Sequence, residues 1–142
     1  MSYIYSMLVK EFISETNRNQ VISILLKHYK VESVKVKTKS MKGHAHFNVD
    51  KGTLELSTRY KTIKTSQVKS FLITILHEIN HAMDAKTFGW KLFKEKYEME
   101  MNLQVTNGKD PYEDNKYEIQ AEKFGQSMWK FWKSKFKKDG LI

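Results

Sequence analysis

The chain has 142 residues, 40% hydrophobic and 13% aromatic, and contains no cysteine. That length suits one domain over residues 1–142 built on one core, and the missing cysteines exclude a disulfide framework, a thiolate-held metal and a cysteine nucleophile. The net charge of +9 arises from 25 Lys and Arg against 16 Asp and Glu, but only Arg18 and Arg59 are arginine, so it reads as a diffuse field that gives weak support to a nucleic-acid partner.

Met1 to Lys10 lacks the basic start, apolar run and small-residue cleavage site of a secretory signal. The apolar stretch Phe71 to Leu76 is interrupted by Thr74 and is far too short to span a bilayer, so no transmembrane segment is expected. A soluble, cytoplasmic protein is the expectation.

Asn17 to Tyr29 carries Val21, Ile24, Leu25 and Tyr29 at spacings of three and four, which predicts an amphipathic helix, with Thr16 and Asn17 as candidate caps. From Val31 to Thr38 the period falls to two, as Val34 and Val36 alternate with Lys35 and Lys37, predicting a half-exposed strand. Gly43 to Val49 and Thr53 to Thr58 alternate on either side of Asp50-Lys51-Gly52 and predict a β-hairpin. Helical patterns follow over Ser66 to Lys86 and, after a break at Gly89, to Met101. Asn102 to Asn115 holds Asn107-Gly108, Asp110-Pro111 and Asp114-Asn115 and reads as the longest loop, before a last helix from Lys116 to about Lys137. The order predicts an α+β domain: a small, mainly antiparallel sheet with helices packed on it.

Successive helical residues turn by about 100°, so His77, His81 and Asp84 share one stripe with Ser70 and Thr74, while Val68, Leu72, Ile75, Ile79 and Ala82 lie opposite. Imidazoles four residues apart converge on one metal ion, and Glu78 is offset enough to reach a water there as general base. The sequence His77-Glu78-Ile79-Asn80-His81 therefore has the His-Glu-x-x-His spacing. A catalytic zinc ordinarily takes three protein ligands. With no cysteine and no histidine after His81, an acid must complete the set. Glu118 is the best candidate, at the border of the last helix's apolar face (Ala121, Phe124, Met128, Phe131, Trp132), and Glu122 lies one turn on. One acid of that pair suits a ligand and the other an acceptor for a ligand histidine's N–H. Asp84 suits that supporting role as well, whereas Glu113 and Asp114 lie in the loop.

His77 to His81 together with Glu118 to Phe124 resembles the gluzincins, zinc peptidases with His-Glu-x-x-His on one helix and Glu-x-x-Ala-Asp on a later one; Glu122 stands here where aspartate is common. The resemblance extends to the short zincin domains of bacterial and phage genomes. It implies a zincin-like fold with a metal-bearing helix and a C-terminal helix, one Zn2+ ion, hydrolysis of peptide or protein substrates, and His44-Ala45-His46-Phe47-Asn48 as a substrate-binding edge strand.

In such a site Glu78 would move the proton, and Tyr112 and Tyr117, just ahead of Glu118, are candidate donors to a developing oxyanion. His44 and His46 share a strand face and are read as lining a cleft or meeting solvent, not as a second metal site. Ser127 to Lys138 interleaves aromatics with lysines and reads as the core side of a terminal helix, with a membrane or nucleic-acid contact as the other reading. Two alternatives stand beside the active peptidase: a DNA-associated metallopeptidase, and a zinc-binding protein of zincin fold without turnover.

Overall fold

The computed structural model describes residues 12–142. Met1 to Lys10, on which the absence of a leader was read, lie outside the described residues. A short strand β1 (Phe12–Ile13) leads into α1 (Glu15–His28). The helix starts earlier than its apolar spacing indicates, because Ser14 Oγ accepts the Asn17 N–H at 3.1 Å; Thr16 and Asn17 thus lie inside the first turn. Val21, Ile22, Leu25 and Leu26 face the core.

Strands β2 (Lys35–Lys39), β3 (Ala45–Asn48) and β4 (Thr53–Ser57) form one sheet in the order β2-β4-β3. The hairpin is present, with Phe47 opposite Leu54 and Ala45 opposite Leu56. Its turn closes through Gly52 at φ +64, a conformation glycine adopts without strain. The expectation of a mainly antiparallel sheet needs correcting: β2 runs parallel to β4, Val36 opposite Leu54, so this sheet is mixed. Alternating valines announce a strand but carry no information about its partner's direction. The second sheet is a two-stranded antiparallel pairing of β1 with β5 (Ile63–Lys64).

Helix α2 (Val68–Phe88) is the hub, touching α1, α4, the following helix α3 (Trp90–Thr106) and β3; α4 is Lys116–Lys138. Gly89, at φ +86, ends α2 and starts α3. Helix α3 runs past the expected Met101 to Thr106, because the first strong turn signal is Asn107-Gly108, with Gly108 at φ +72. Helix α4 is capped by Asn115, whose Oδ1 accepts the Tyr117 N–H at 2.9 Å, and it buries Ala121, Trp132 and Phe136. It lies close enough to α2 that a Cβ on Gly125 would stand 2.8 Å from the carbonyl oxygen of Ile73. No helix among the described residues is long and apolar enough to cross a membrane.

Candidate metal centre

The expected apolar face of α2 is buried, and the middle of the opposite face is buried as well, although Ser70 is exposed and Thr74 and Asp84 are half-buried. His77, Glu78, Asn80 and His81 are themselves buried, since α4 and β3 close over them. Side chains this polar occupy an interior only when something compensates their lost hydration. For His77 and His81 much of the compensation comes from α4. Glu118 Oε1 lies 2.9 Å from His77 Nε2 and 2.5 Å from His81 Nε2, so one carboxylate oxygen sits between two imidazole nitrogens supplied by successive turns of α2. Glu122 Oε2, one turn further along α4, stands 2.9 Å from His77 Nδ1. Glu78 has a ligand atom within 4.8 Å of those of both histidines, giving a buried His-Glu-His cluster able to hold a metal ion.

Two contributors come from α3, which carries no motif. Tyr97, edge-on to His81, donates its hydroxyl hydrogen to Glu118 Oε2 at 2.7 Å, orienting the carboxylate through the oxygen that does not meet the histidines. Buried Glu100 accepts the Lys116 N–H at 2.8 Å and so holds the first turn of α4, in which Glu118 lies. Neither was singled out in the sequence, because a Tyr and a Glu on an amphipathic helix are ordinary. Gly125 is the third contributor outside the motif, an isolated glycine within a helical pattern being a recognised sign of close packing.

The electrostatics follow from this crowding. Burial disfavours a charged His77, yet Glu118, Glu78 and Glu122 outweigh it and raise its pKa to about 9. Burial likewise pushes Glu118 upward, but the donors His77, His81 and Tyr97 prevail and hold its carboxyl well below the usual range. Glu78 goes the other way: burial raises its pKa, and the two histidines only partly offset that. The neighbouring acids therefore differ in character, Glu118 a firmly ionised carboxylate and Glu78 a more basic one.

Compared with known proteins, the chain matches no family model, no curated protein and no solved structure.

The donor chemistry, imidazoles and carboxylates without a thiolate, is one able to hold a metal ion. Two imidazole Nε2 atoms and one carboxylate oxygen converge from α2 and α4, and Glu122 Oε2 lies against His77 Nδ1. Among the described residues the other histidine lacks such support, for His81 Nδ1 is buried without a partner there, as is Asp84 Oδ2 one turn along α2. The structure thus brings Glu122 into contact with a histidine and does not bring Asp84 into hydrogen-bond contact with one.

The remaining expected residues separate. Tyr112 lines each of the three cavities around the cluster, and burial together with Glu118, Glu78 and Glu122 raises its pKa, so its phenol stays a hydrogen-bond donor. Tyr117 is buried, stacked on Tyr97 and edge-on to Phe93, and lines none of these cavities. In β3, Ala45 and Phe47 turn toward the core, and Phe47 stacks on Trp90, while His46 is exposed beside the α3-side cavity. His44 falls outside the strand, 2.5 Å from the Tyr60 hydroxyl and 3.2 Å from Arg59 Nη1, so the two histidines do not share a strand face. Among the described residues β3 pairs only with β4, which leaves its other edge along the cluster. Ala45, Glu78 and Tyr112 line both the 640 Å³ cavity on one side and the 550 Å³ cavity on the other.

Proposed function

We propose that this protein is a zinc-dependent peptidase of gluzincin type, acting in the cytoplasm on a peptide or protein substrate. The observation that carries the reading is the meeting of Glu118 Oε1, from α4, with the Nε2 atoms of His77 and His81, from α2. The sequence distance between these helices makes that convergence hard to explain as local helix chemistry. His77, His81 and Glu118 would hold one zinc ion, with Glu122 and Tyr97 orienting the ligands from behind. Zinc bound there supplies Lewis acidity, lowering the pKa of water toward about 7 and polarising a carbonyl.

The other work belongs to side chains. Glu78, made more basic by burial, takes the proton from water at its carboxylate and later delivers it to the leaving amine nitrogen. Tyr112 donates a hydrogen bond to the oxyanion as it forms. The free edge of β3 binds an extended peptide by main-chain hydrogen bonds and lays it across Glu78. Metal analysis of the purified protein, with Glu78→Gln in a peptide-cleavage assay, tests the reading. One zinc per chain is expected in both proteins, and cleavage only in the unsubstituted one. Cleavage retained in Glu78→Gln, or zinc bound with no cleavage of any peptide pool, sinks it.

A further inference from the structure

The two arms of the cleft differ in chemistry. On the α3 side the cavity is lined by Phe47, Phe93 and Met101 and by the acids Asp50 and Glu98, and its lysine, Lys94, is paired with Asp50 at 2.8 Å. On the other side the groove follows α2 from His77 through Thr74, Ile73 and Ser70 to Lys69, with the start of β3 along its opposite wall. Apart from Glu78 and Glu122 at the cluster, no acid among the described residues lines this arm. Lys69 lies at its far end, its Nζ 5.0 Å from the centre of the Trp129 ring on α4, and the ammonium groups of Lys130 and Lys133 stand 5.8 Å and 5.9 Å from the same ring. Cation–π attraction gathers these lysines on one indole, but like charges held this close repel. Among the described residues none of them has a carboxylate within 4.0 Å.

We infer that the arm ending at Trp129 receives acidic side chains, so that the preferred substrate is a peptide with acidic residues on one side of the scissile bond and an apolar residue on the other. This rests on the peptidase reading and names its substrate class. Two observations support a peptide over a nucleic acid. Lys69 lines the groove that starts at Glu78 and is walled by β3, and joins it through Trp129 to Lys130 and Lys133, and none of these cations is an arginine, the usual residue for bidentate phosphate contacts. From His77 to Lys69 the helix advances by about 12 Å. An extended peptide covers that in roughly four residues, which puts the acids near the third to fifth position from the bond.

The test uses quenched fluorogenic peptides that share an apolar residue at the cleavage point and carry Glu or Gln at the third to fifth positions, on one side or the other. Each exposed lysine–carboxylate pair is worth at most about fivefold. The zinc-loaded protein is therefore expected to show a Glu-to-Gln ratio in kcat/KM above one, by up to about fivefold for each pair formed, for one side only, falling toward one at roughly 0.5 M salt as screening shortens the field. Lys69→Glu is expected to bring the ratio below one, and Lys133→Gln to lower it. A ratio of one on both sides in the unsubstituted protein, with cleavage intact, overturns the substrate assignment and leaves the peptidase reading standing. Cleavage of no peptide by folded, zinc-loaded protein overturns both. A ratio of one combined with salt-sensitive binding of a single-stranded oligonucleotide that Lys69→Glu abolishes assigns the lysine cluster to nucleic acid and overturns the proposal.

Discussion

Replacing Gly125 with alanine would put a methyl group 2.8 Å from the carbonyl oxygen of Ile73 and 3.2 Å from its Cγ2, where ordinary contact begins near 3.4 Å. The obstructing atom is backbone in the middle of α2, so it cannot swing aside as a side-chain tip would. Helix α4 must retreat by about 0.5 Å, an overpacking strain that costs about 1–3 kcal/mol. Against this stands the better helix propensity of alanine, about 1 kcal/mol. The net expectation is a destabilisation of up to about 2 kcal/mol, which lowers the Tm of a chain of this size by up to roughly 8 °C. The same retreat draws Glu118 and Glu122 away from His77, so zinc affinity should fall by about tenfold, the lower end of what disturbing a ligand's supporting contacts produces. Thermal and denaturant unfolding of the metal-free protein, with chelator competition for the loaded protein, measures both effects. A raised Tm would refute the reasoning, since it would mean that the helices do not meet closely at Gly125 and that only propensity is at stake.

Tyr97→Phe removes one hydroxyl from Glu118 and should weaken zinc binding by about tenfold while leaving the fold intact; unaltered affinity in chelator competition would remove Tyr97 from the site. Glu122→Gln should cost about 10–100-fold in zinc affinity through the weakened His77 Nδ1 contact, with Asp84→Asn smaller because Asp84 makes no such contact. The pH dependence of the metal-free protein follows from two shifts of opposite sign. His77, raised from 6.5 to about 9, contributes stability that is fully present below about 6.5 and is lost as pH rises through about 9. Glu118, held low, contributes stability present above its ordinary value of 4.5 and lost on strong acidification, so denaturant titrations should peak between those limits, and stability still rising at pH 9 would contradict the assignment. Glu100→Ala should destabilise by about 1–2 kcal/mol, because it leaves the Lys116 N–H and the Gln104 amide without their acceptor; denaturant unfolding measures it.

Much of the local structure was legible in the sequence because it has local causes. The hairpin around Asp50-Lys51-Gly52, the helices carrying His77 and Glu118, and the break at Gly89 each follow from hydrophobic period or turn chemistry within a few residues. The spacing of His77 and His81 is of the same kind, since a helix brings residues four apart to one face whatever surrounds it. Where the sequence misled, the cause was remote. The direction of β2, the loss of His44 to Tyr60 and Arg59, and the burial of Tyr117 between Phe93 and Tyr97 depend on partners brought up by tertiary packing.

The candidate centre divides along the same line. Its first two nitrogens and Glu78 are set by helical geometry on α2, and composition alone pointed to an acid as the third partner by leaving no cysteine and no later histidine. Which oxygen meets which nitrogen is decided by how closely α4 lies on α2, and so by Gly125, by the Glu100 contact at the start of α4 and by Tyr97 reaching across from α3. None of these has a periodic signature, because a contact between helices depends on the shape and approach of both surfaces, whereas periodicity records only which face of one helix is apolar.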